Sequence, residues 1–368
     1  MRLKLLLLAV LGLLAPVASV AAEATIDGWP IPQPGHVFSF PLDHGSHPRF
    51  RIEWWYVTGH LYSKDGRRFG FQATFFRAAG PRSPAADADF GTDQVFLAHM
   101  ALTDPSEGRF LESERLNREG WNANAAEGHL DLRNGEWTLR QSPEPGSPIE
   151  LTGGIRAEAS FMLSLVPEKP LVVFGENGVS RKGAQPEAAS YYLTFPRLEV
   201  KGRLALGGKS FTVKGEAWMD HEISSSQLGS DQVGWDWTCI QMKDSRRELM
   251  LYRLRRADGT ADPASRLQWV GSDGHVVTEP FTWEVTSRWI NPGDGVEYPS
   301  RVRLGTVDPQ TGSHVSFEIV PILAGQVLAN GFAGGSYWEG ACRVLGADGV
   351  EVGSSYLELT GYAKPLKL

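Results

Sequence analysis

The chain has 368 residues, enough for about two domains. With 42% hydrophobic and 21% charged residues it has the balance of an ordinary globular protein. A formal net charge of −7, with no Lys/Arg cluster, argues against a nucleic-acid partner. Twelve Trp, nine Tyr and seventeen Phe, with 41 Gly and 23 Pro, suit many short strands joined by tight turns.

Residues 1–22 read as a cleavable export signal. Arg2 and Lys4 open it, Leu5 to Leu14 is an almost unbroken apolar run, and Val20-Ala21-Ala22 is a small-residue cleavage pattern. The run falls short of the ~20 apolar residues a bilayer span needs. A cut after Ala22 predicts a periplasmic or secreted chain with no stable membrane span, and no Cys follows the cut to carry a lipid. Glu23 to Pro48 is Pro-, Gly- and His-rich and reads as an arm with little regular structure. Phe50 to Tyr62 and Arg68 to Arg77, joined by Lys64-Asp65-Gly66, form an expected hairpin.

Pro81 to Thr92 reads as a loop. Short β runs are then expected at Gln94–Thr103, His129–Leu132, Trp137–Gln141, Ile155–Val166, Ser190–Phe195 and Leu198–Leu206, with turn signals at Asn134-Gly135 and Gly207-Gly208 and a surface loop at Pro143–Pro148. Beyond a Ser/Gly connector the pattern repeats in Gln232–Lys243, Glu248–Arg256, Arg266–Val270, Phe281–Ile290, Arg301–Thr306, His314–Pro321, Tyr337–Leu345 and Tyr356–Gly361. Asp258-Gly259, Asp273-Gly274 and Asp348-Gly349 mark further turns. No amphipathic helix longer than about two turns is expected. The reading is all-β, in two sandwich or barrel units joined within Ser224–Asp231, and edge management favours barrels.

The chemically dense stretch is Gly215–Trp237, GEAWMDHEISSSQLGSDQVGWDW. A His flanked by carboxylates, as His221 is by Asp220 and Glu222, makes a candidate acid or base. Trp235 and Trp237 share one strand face and Asp236 the other. Indole faces stabilise a developing cation, so Trp218, Trp235 and Trp237 form a candidate substrate wall. Protonation of an alkene and capture of water would fit, and so would simple binding of a hydrophobic ligand. The plain alternative is an aromatic corner with satisfied hydrogen bonds. Upstream, Glu53 and Trp55 share a face opposite Trp54 and Tyr56; Glu53 is either a carboxylate of raised pKa beside an indole or the partner of Arg51 or Arg77. His44 and His47 form a weak metal motif that His60 or His99 would have to complete, so no metal is expected. No GxSxG elbow, HExxH helix, phosphate loop or dinucleotide fingerprint is present, and no cofactor is expected. Ser224, Ser225 and Ser226 lie near His221 in sequence only. Cys239 and Cys342 are either a disulfide or two buried thiols.

The motifs HPRFRIEWWYVTGHL (47–61), GEAWMDHE (215–222), GWDWTCIQMKDSRRELMLYRLR (234–255) and YWEGACRVLG (337–346) resemble the AttH-like branch of the carotenoid 1,2-hydratase (hydroxyneurosporene synthase) superfamily, whose exported members are labelled predicted secreted hydrolases. The resemblance spans about residues 36 to 365. It implies two tandem lipocalin-like β-barrel domains, at about 40–228 and 229–368 after an arm at 23–39. It also implies cofactor-free addition of water to an isoprenoid alkene, with Trp218, Asp220, His221, Asp236, Trp237 and Tyr252 in the matching neighbourhood. Related two-barrel Diels–Alderases close a ring instead. Three readings follow: a hydratase or lyase with Asp220 or Asp236 as proton donor and His221 as its partner, a non-catalytic carrier of a hydrophobic ligand, and a hydrolase.

Overall fold

The computed structural model describes residues 25–80, 94–329 and 335–366, so the expected signal segment and the Pro81–Thr92 loop lie outside the described residues. Among the described residues there is no α-helix, and the one helical element is a three-residue 3-10 turn at Leu42–His44. No helix is long and apolar enough to cross a membrane.

Two curled, barrel-like antiparallel sheets account for the molecule. The first runs in the order Arg109–Arg118, Gln94–Asp104, Arg68–Ala79, Ile52–Ser63, Lys209–Ser226, Ala189–Leu206, Ala159–Pro167, Ile149–Ile155, Trp137–Gln141, Asp131–Asn134 and Ala123–Ala125. Its ends meet through side chains: Asn117 Nδ2 donates to Asn134 Oδ1 at 2.6 Å, and Asn134 Nδ2 to the Phe96 carbonyl at 3.2 Å. The second sheet runs Val276–Glu279, Arg266–Val270, Glu248–Arg256, Gln232–Met242, Glu351–Leu359, Tyr337–Leu345, His314–Pro321, Glu297–Val307 and Phe281–Ile290. Its two end strands adjoin in sequence across Pro280, which cannot donate to a ladder. The chain leaves the first sheet at Ser226 and enters the second at Gln232.

The turn signals act where expected. Asn134 pairs with Trp137 and Leu206 with Lys209, so each turn has two residues; Gly207 and Gly208 both take positive φ, which only glycine adopts freely. Some elements differ from the sequence reading. The single expected run Ile155–Val166 is a hairpin of Ile149–Ile155 and Ala159–Pro167, turning at Arg156. The two runs 190–195 and 198–206 are one strand with a bulge around Pro196. Arg109–Arg118, RFLESERLNR, is a strand that its charge concealed, because its side chains are largely solvated. The arm holds a two-residue hairpin, Thr25–Ile26 with Trp29–Pro30. It is pinned by Tyr191 Oη, which accepts from the Gln33 amide at 2.9 Å.

Each barrel has its own apolar core, around Trp55, Phe71, Trp137 and Phe161 in the first and Trp269, Tyr298, Trp338 and Leu357 in the second. A third apolar cluster, with Tyr56, Phe174, Tyr192, Trp218, Trp237, Cys239, Tyr252 and Tyr356, draws from both sheets and fills the space between them. Cys239 lies in this cluster and Cys342 in the second core, and both are free thiols. Burial pushes each thiol well up, away from ionisation, so both behave as small apolar groups. Polar ties also cross the interface: His60 Nε2 to the Ser355 carbonyl at 2.9 Å, and Gln241 Nε2 to the Pro196 and Ala217 carbonyls, each at 2.9 Å. Buried Glu248 is shared by Lys169 and by Arg197, the latter at 2.7 Å.

The two sheets pack tightly at Gly70, where a Cβ would lie 2.4 Å from the Cβ of Ala341. Gly70→Val is therefore expected to lower stability by about 1–3 kcal/mol through overpacking. The measurement is the urea midpoint, and an unchanged midpoint would mean that the sheets do not meet there.

Candidate functional site between the barrels

Strand parity sorts the candidate residues into two groups. On Ile52–Ser63, Glu53, Trp55 and Val57 point into the first barrel, while Trp54, Tyr56 and Thr58 face the second. On Lys209–Ser226, Met219 and His221 point inward, and Trp218, Asp220 and Glu222 face the second barrel. Gln232–Met242 sends Trp235, Trp237 and Cys239 toward the first barrel.

These facing surfaces leave a cavity of about 110 Å³, where one water needs about 10–15 Å³ on the same measure. Its walls are aromatic (Trp54, Tyr56, Phe76, Tyr192, Trp235, Trp237, Tyr252, Tyr337), and four carboxylates, Asp220, Glu222, Glu339 and Glu358, open onto it. Trp218 lies behind the wall, stacked on Phe174 and edge-on to Trp237. Lys182 is a buried cation of the wall, 3.2 Å from Glu222 and over the faces of Tyr192 and Tyr252.

Asp220 accepts from Thr194 Oγ1 at 2.5 Å, Trp218 Nε1 at 2.7 Å and Tyr192 Oη at 2.8 Å. Tyr192 Oη in turn accepts from Trp237 Nε1 at 2.9 Å. Those donors favour the carboxylate, yet burial, helped by the charge of Glu222, outweighs them and pushes Asp220 up to about 7. Glu358 is likewise pushed up to about 7 by burial against the pull of Trp235 Nε1, which donates to it at 2.9 Å. Glu339 pairs in register with Glu358 on the neighbouring strand. Burial and then the charge of Glu358 raise it well above the carboxylate range, so the pair shares protons rather than ionising fully.

His221 stands on the opposite face from Asp220 and is not its partner. It stacks on Trp55 at 4.6 Å, and its Nε2 lies 2.8 Å from Glu53 Oε1. His47 Nδ1 meets the same oxygen at 2.9 Å and its Nε2 meets Asp43 at 3.0 Å; Arg77 Nε and Ser46 Oγ take Glu53 Oε2 at 3.0 and 3.1 Å. The structure selects Arg77 rather than Arg51 as the partner of Glu53. Burial opposes ionisation of Glu53, but these donors and Arg77 hold its carboxyl well below the usual range. Burial lowers His221 despite Glu53, while the hydrogen bond to Glu53 helps raise His47 against burial. Among the described residues His47, Glu53 and His221 are close enough to hold a metal ion. A cation there would compete with the Arg77 guanidinium, and the three already satisfy one another at hydrogen-bond distance. His60 and His99 do not join them: His60 faces Ser355, and His99 bridges Tyr337 Oη at 2.7 Å and Glu114 at 2.9 Å.

The remaining candidates separate as well. Asp236 points into the second barrel, held by Arg253 at 3.0 Å, Arg255 at 2.9 Å and Tyr362 Oη at 2.9 Å, and it does not line the cavity. Ser224 and Ser225 donate to the Ala189 and Pro30 carbonyls, and none of the three serines reaches His221. Of the sequence candidates, Asp220, Trp235, Trp237 and Tyr252 line the cavity; Glu53 borders it with its carboxylate turned away; Trp55, Trp218, His221 and Asp236 do not line it. Sequence reasoning passed over Glu339, Glu358, Tyr192 and Lys182. Glu358, in Tyr356-Leu-Glu-Leu, alternates with leucine as a solvent-facing acid would, and nothing local marks its outer face as dry.

Replacing Glu53 by Gln leaves Arg77 buried without a counter-charge, which is expected to cost about 3–5 kcal/mol at neutral pH. Because the folded pKa of Glu53 is depressed, its contribution is fully present above the ordinary carboxylate value and is lost as pH falls through the folded one. Denaturation of the wild type and Glu53→Gln should therefore converge in acid. A gap that stays constant below the carboxylate range would contradict an ionised Glu53.

A family model described as AttH-like matches residues 31–362. No curated protein matches. Among solved structures, a putative AttH from Nitrosomonas europaea is 32% identical with a TM-score of 0.78, covering 90% of this chain and 98% of its own. Kievitone hydratase from Nectria haematococca shares the fold at 13% identity and a TM-score of 0.67, covering 89% of this chain and 94% of its own. CghA with Sch210972 is 13% identical with a TM-score of 0.51, covering 84% and 88% of the two chains. From the family match and the 32% identity over nearly the whole length, the chain belongs to the AttH-like family.

Proposed function

We propose that the protein is a cofactor-free acid–base lyase that adds water to, or removes it from, a hydrophobic alkene-type substrate of isoprenoid character bound between the barrels. The observation that carries the reading is the convergence of four carboxylates on one aromatic-walled cavity, two of them tuned to about 7. Carboxylic acids kept neutral near physiological pH by burial are proton donors, and pairs whose surroundings separate their protonation supply both acid and base. The hydratase named among the fold neighbours supports the reaction class.

In the hydration direction, Glu339 holds its proton well above the carboxylate range and gives it to one alkene carbon. The π pair forms the new C–H bond and leaves a cation on the other carbon. Trp237, Trp235 and Tyr56 present electron-rich rings to that cation. Water bonds to it through oxygen and sheds one proton to Asp220, whose three donors favour the carboxylate that receives it. Proton return from Asp220 to Glu339 restores the enzyme, for a net gain of one water. Lys182 and Tyr252 border the far wall as substrate contacts.

Purified protein would be incubated with acyclic isoprenoid alkenes and the product mass followed for the gain of one water. Glu339→Gln and Asp220→Asn should each cost about 100-fold or more in turnover while an apolar fluorophore still binds. The hydration rate should rise with pH through about 7 as Asp220 ionises, and Asp220→Asn should remove that limb. Recovery of every alkene unchanged and stoichiometrically bound would replace the lyase with a carrier. Export is part of the same proposal: the protein from the periplasm or medium should begin at Glu23, and a chain still beginning at Met1 would refute cleavage.

A further inference from the structure

Five buried polar atoms collect along one seam between the barrels without a well-formed hydrogen bond: Tyr56 Oη, Thr58 Oγ1, Gln72 Oε1, Glu339 Oε1 and Tyr356 Oη. Tyr56 and Glu339 face each other and Thr58 faces Cys239, while Gln72 Oε1 and Tyr356 Oη have no hydrogen-bond partner in the protein. Their residues are between 0% and 7% exposed. The other such atoms among the described residues are scattered through the two barrels, so the clustering is specific to this interface. Register explains it. Thr58 pairs with Gln72, and Tyr56 precedes Thr58 on the same face; opposite them Tyr356 and Glu358 share a face, and Glu358 pairs with Glu339.

The seam has one open end. Tyr56 and Glu339 form part of the cavity lining, whereas Thr58, Gln72 and Tyr356 lie beneath it. Below them the sheets close through Gly70 against Ala341, His60 on the Ser355 carbonyl, and Gln241 on the Pro196 and Ala217 carbonyls. Buried hydroxyls and a buried amide oxygen in such a place are costly unless satisfied, and water, donor and acceptor at once, satisfies all of them.

We propose that the seam is a built water site: a short file of internal water held by Thr58, Gln72 and Tyr356, opening at the cavity floor beside Tyr56 and Glu339. Its place in chemistry rests on the lyase reading above: an apolar substrate that fills the cavity excludes bulk solvent, and the file then presents water next to the proton donor. The site itself does not depend on that reading.

A high-resolution crystal structure of the wild-type protein, alone and soaked with 1-anilinonaphthalene-8-sulfonate, is the direct test. Ordered waters should lie about 2.7–3.2 Å from Gln72 Oε1, Tyr356 Oη and Glu339 Oε1, and those at Gln72 and Tyr356 should persist when the fluorophore occupies the cavity. A dry seam, with these side chains bonded to one another, would overturn the proposal. Magnetic relaxation dispersion provides a second readout in solution. Thr58→Val/Gln72→Leu should lose long-lived internal waters relative to the wild type, and an unchanged count in a folded variant would also overturn it. Neither measurement uses turnover, so a failure to hydrate any alkene would sink the reaction and leave the water site standing.

Discussion

The structure depends on two β-sheets pressing together faces that, in an isolated barrel, would meet water. Gly70 makes the close approach possible because it has no side chain to place against Ala341. Around that contact Gln241, His60, Arg197 and Lys169 reach from one barrel to main chain or carboxylates of the other. An aromatic layer from both barrels fills the rest. Each outer face is thus desolvated by the other, and neither barrel alone would have a site.

Desolvation then sets the chemistry. Asp220 has three hydrogen-bond donors and would ionise easily at a surface, yet between the barrels it titrates near neutrality. Glu339 and Glu358 sit opposite each other on paired strands, where in water their repulsion would be screened. In the dry interface burial, reinforced for Glu339 by the charge of Glu358, holds protons on the pair. Exclusion of bulk solvent also accounts for the seam beneath, where Gln72 Oε1 and Tyr356 Oη, which would be solvated on a lone barrel, have no protein partner.

The Glu53 network follows the opposite logic inside the first barrel. Its carboxylate is more buried than any acid of the cavity wall, but Arg77, Ser46, His47 and His221 surround it, and it stays ionised. Glu53 and Asp220, on paired strands and both buried, are therefore pushed in opposite directions: the partners of Glu53 outweigh its burial, whereas the neutral donors around Asp220 do not outweigh its own. Through His47 and Asp43 the network also pins the arm to the barrel end, which ties the irregular N-terminal segment to the strand that lines the cavity.

Much of the fold was legible in the chain. Alternation in RFGFQATFFR, the Asn134-Gly135 and Gly207-Gly208 turns and the connector after Ser226 are local signals, and local sterics enforce them in the structure. Parity alone placed Trp235 and Trp237 together and Asp236 apart, and put Glu53 with Trp55. Adjacency misled where it was read as proximity: Asp220 and His221 are neighbours in sequence and face different compartments. What the sequence by itself determined was the strand period, the turns, the two-barrel organisation and the resemblance that marks the family. Only the tertiary structure decided which outer faces are dry. That depends on sheets whose contacting residues lie hundreds of positions apart, such as Gly70 and Ala341, and burial is a property of what covers a residue rather than of the residue itself.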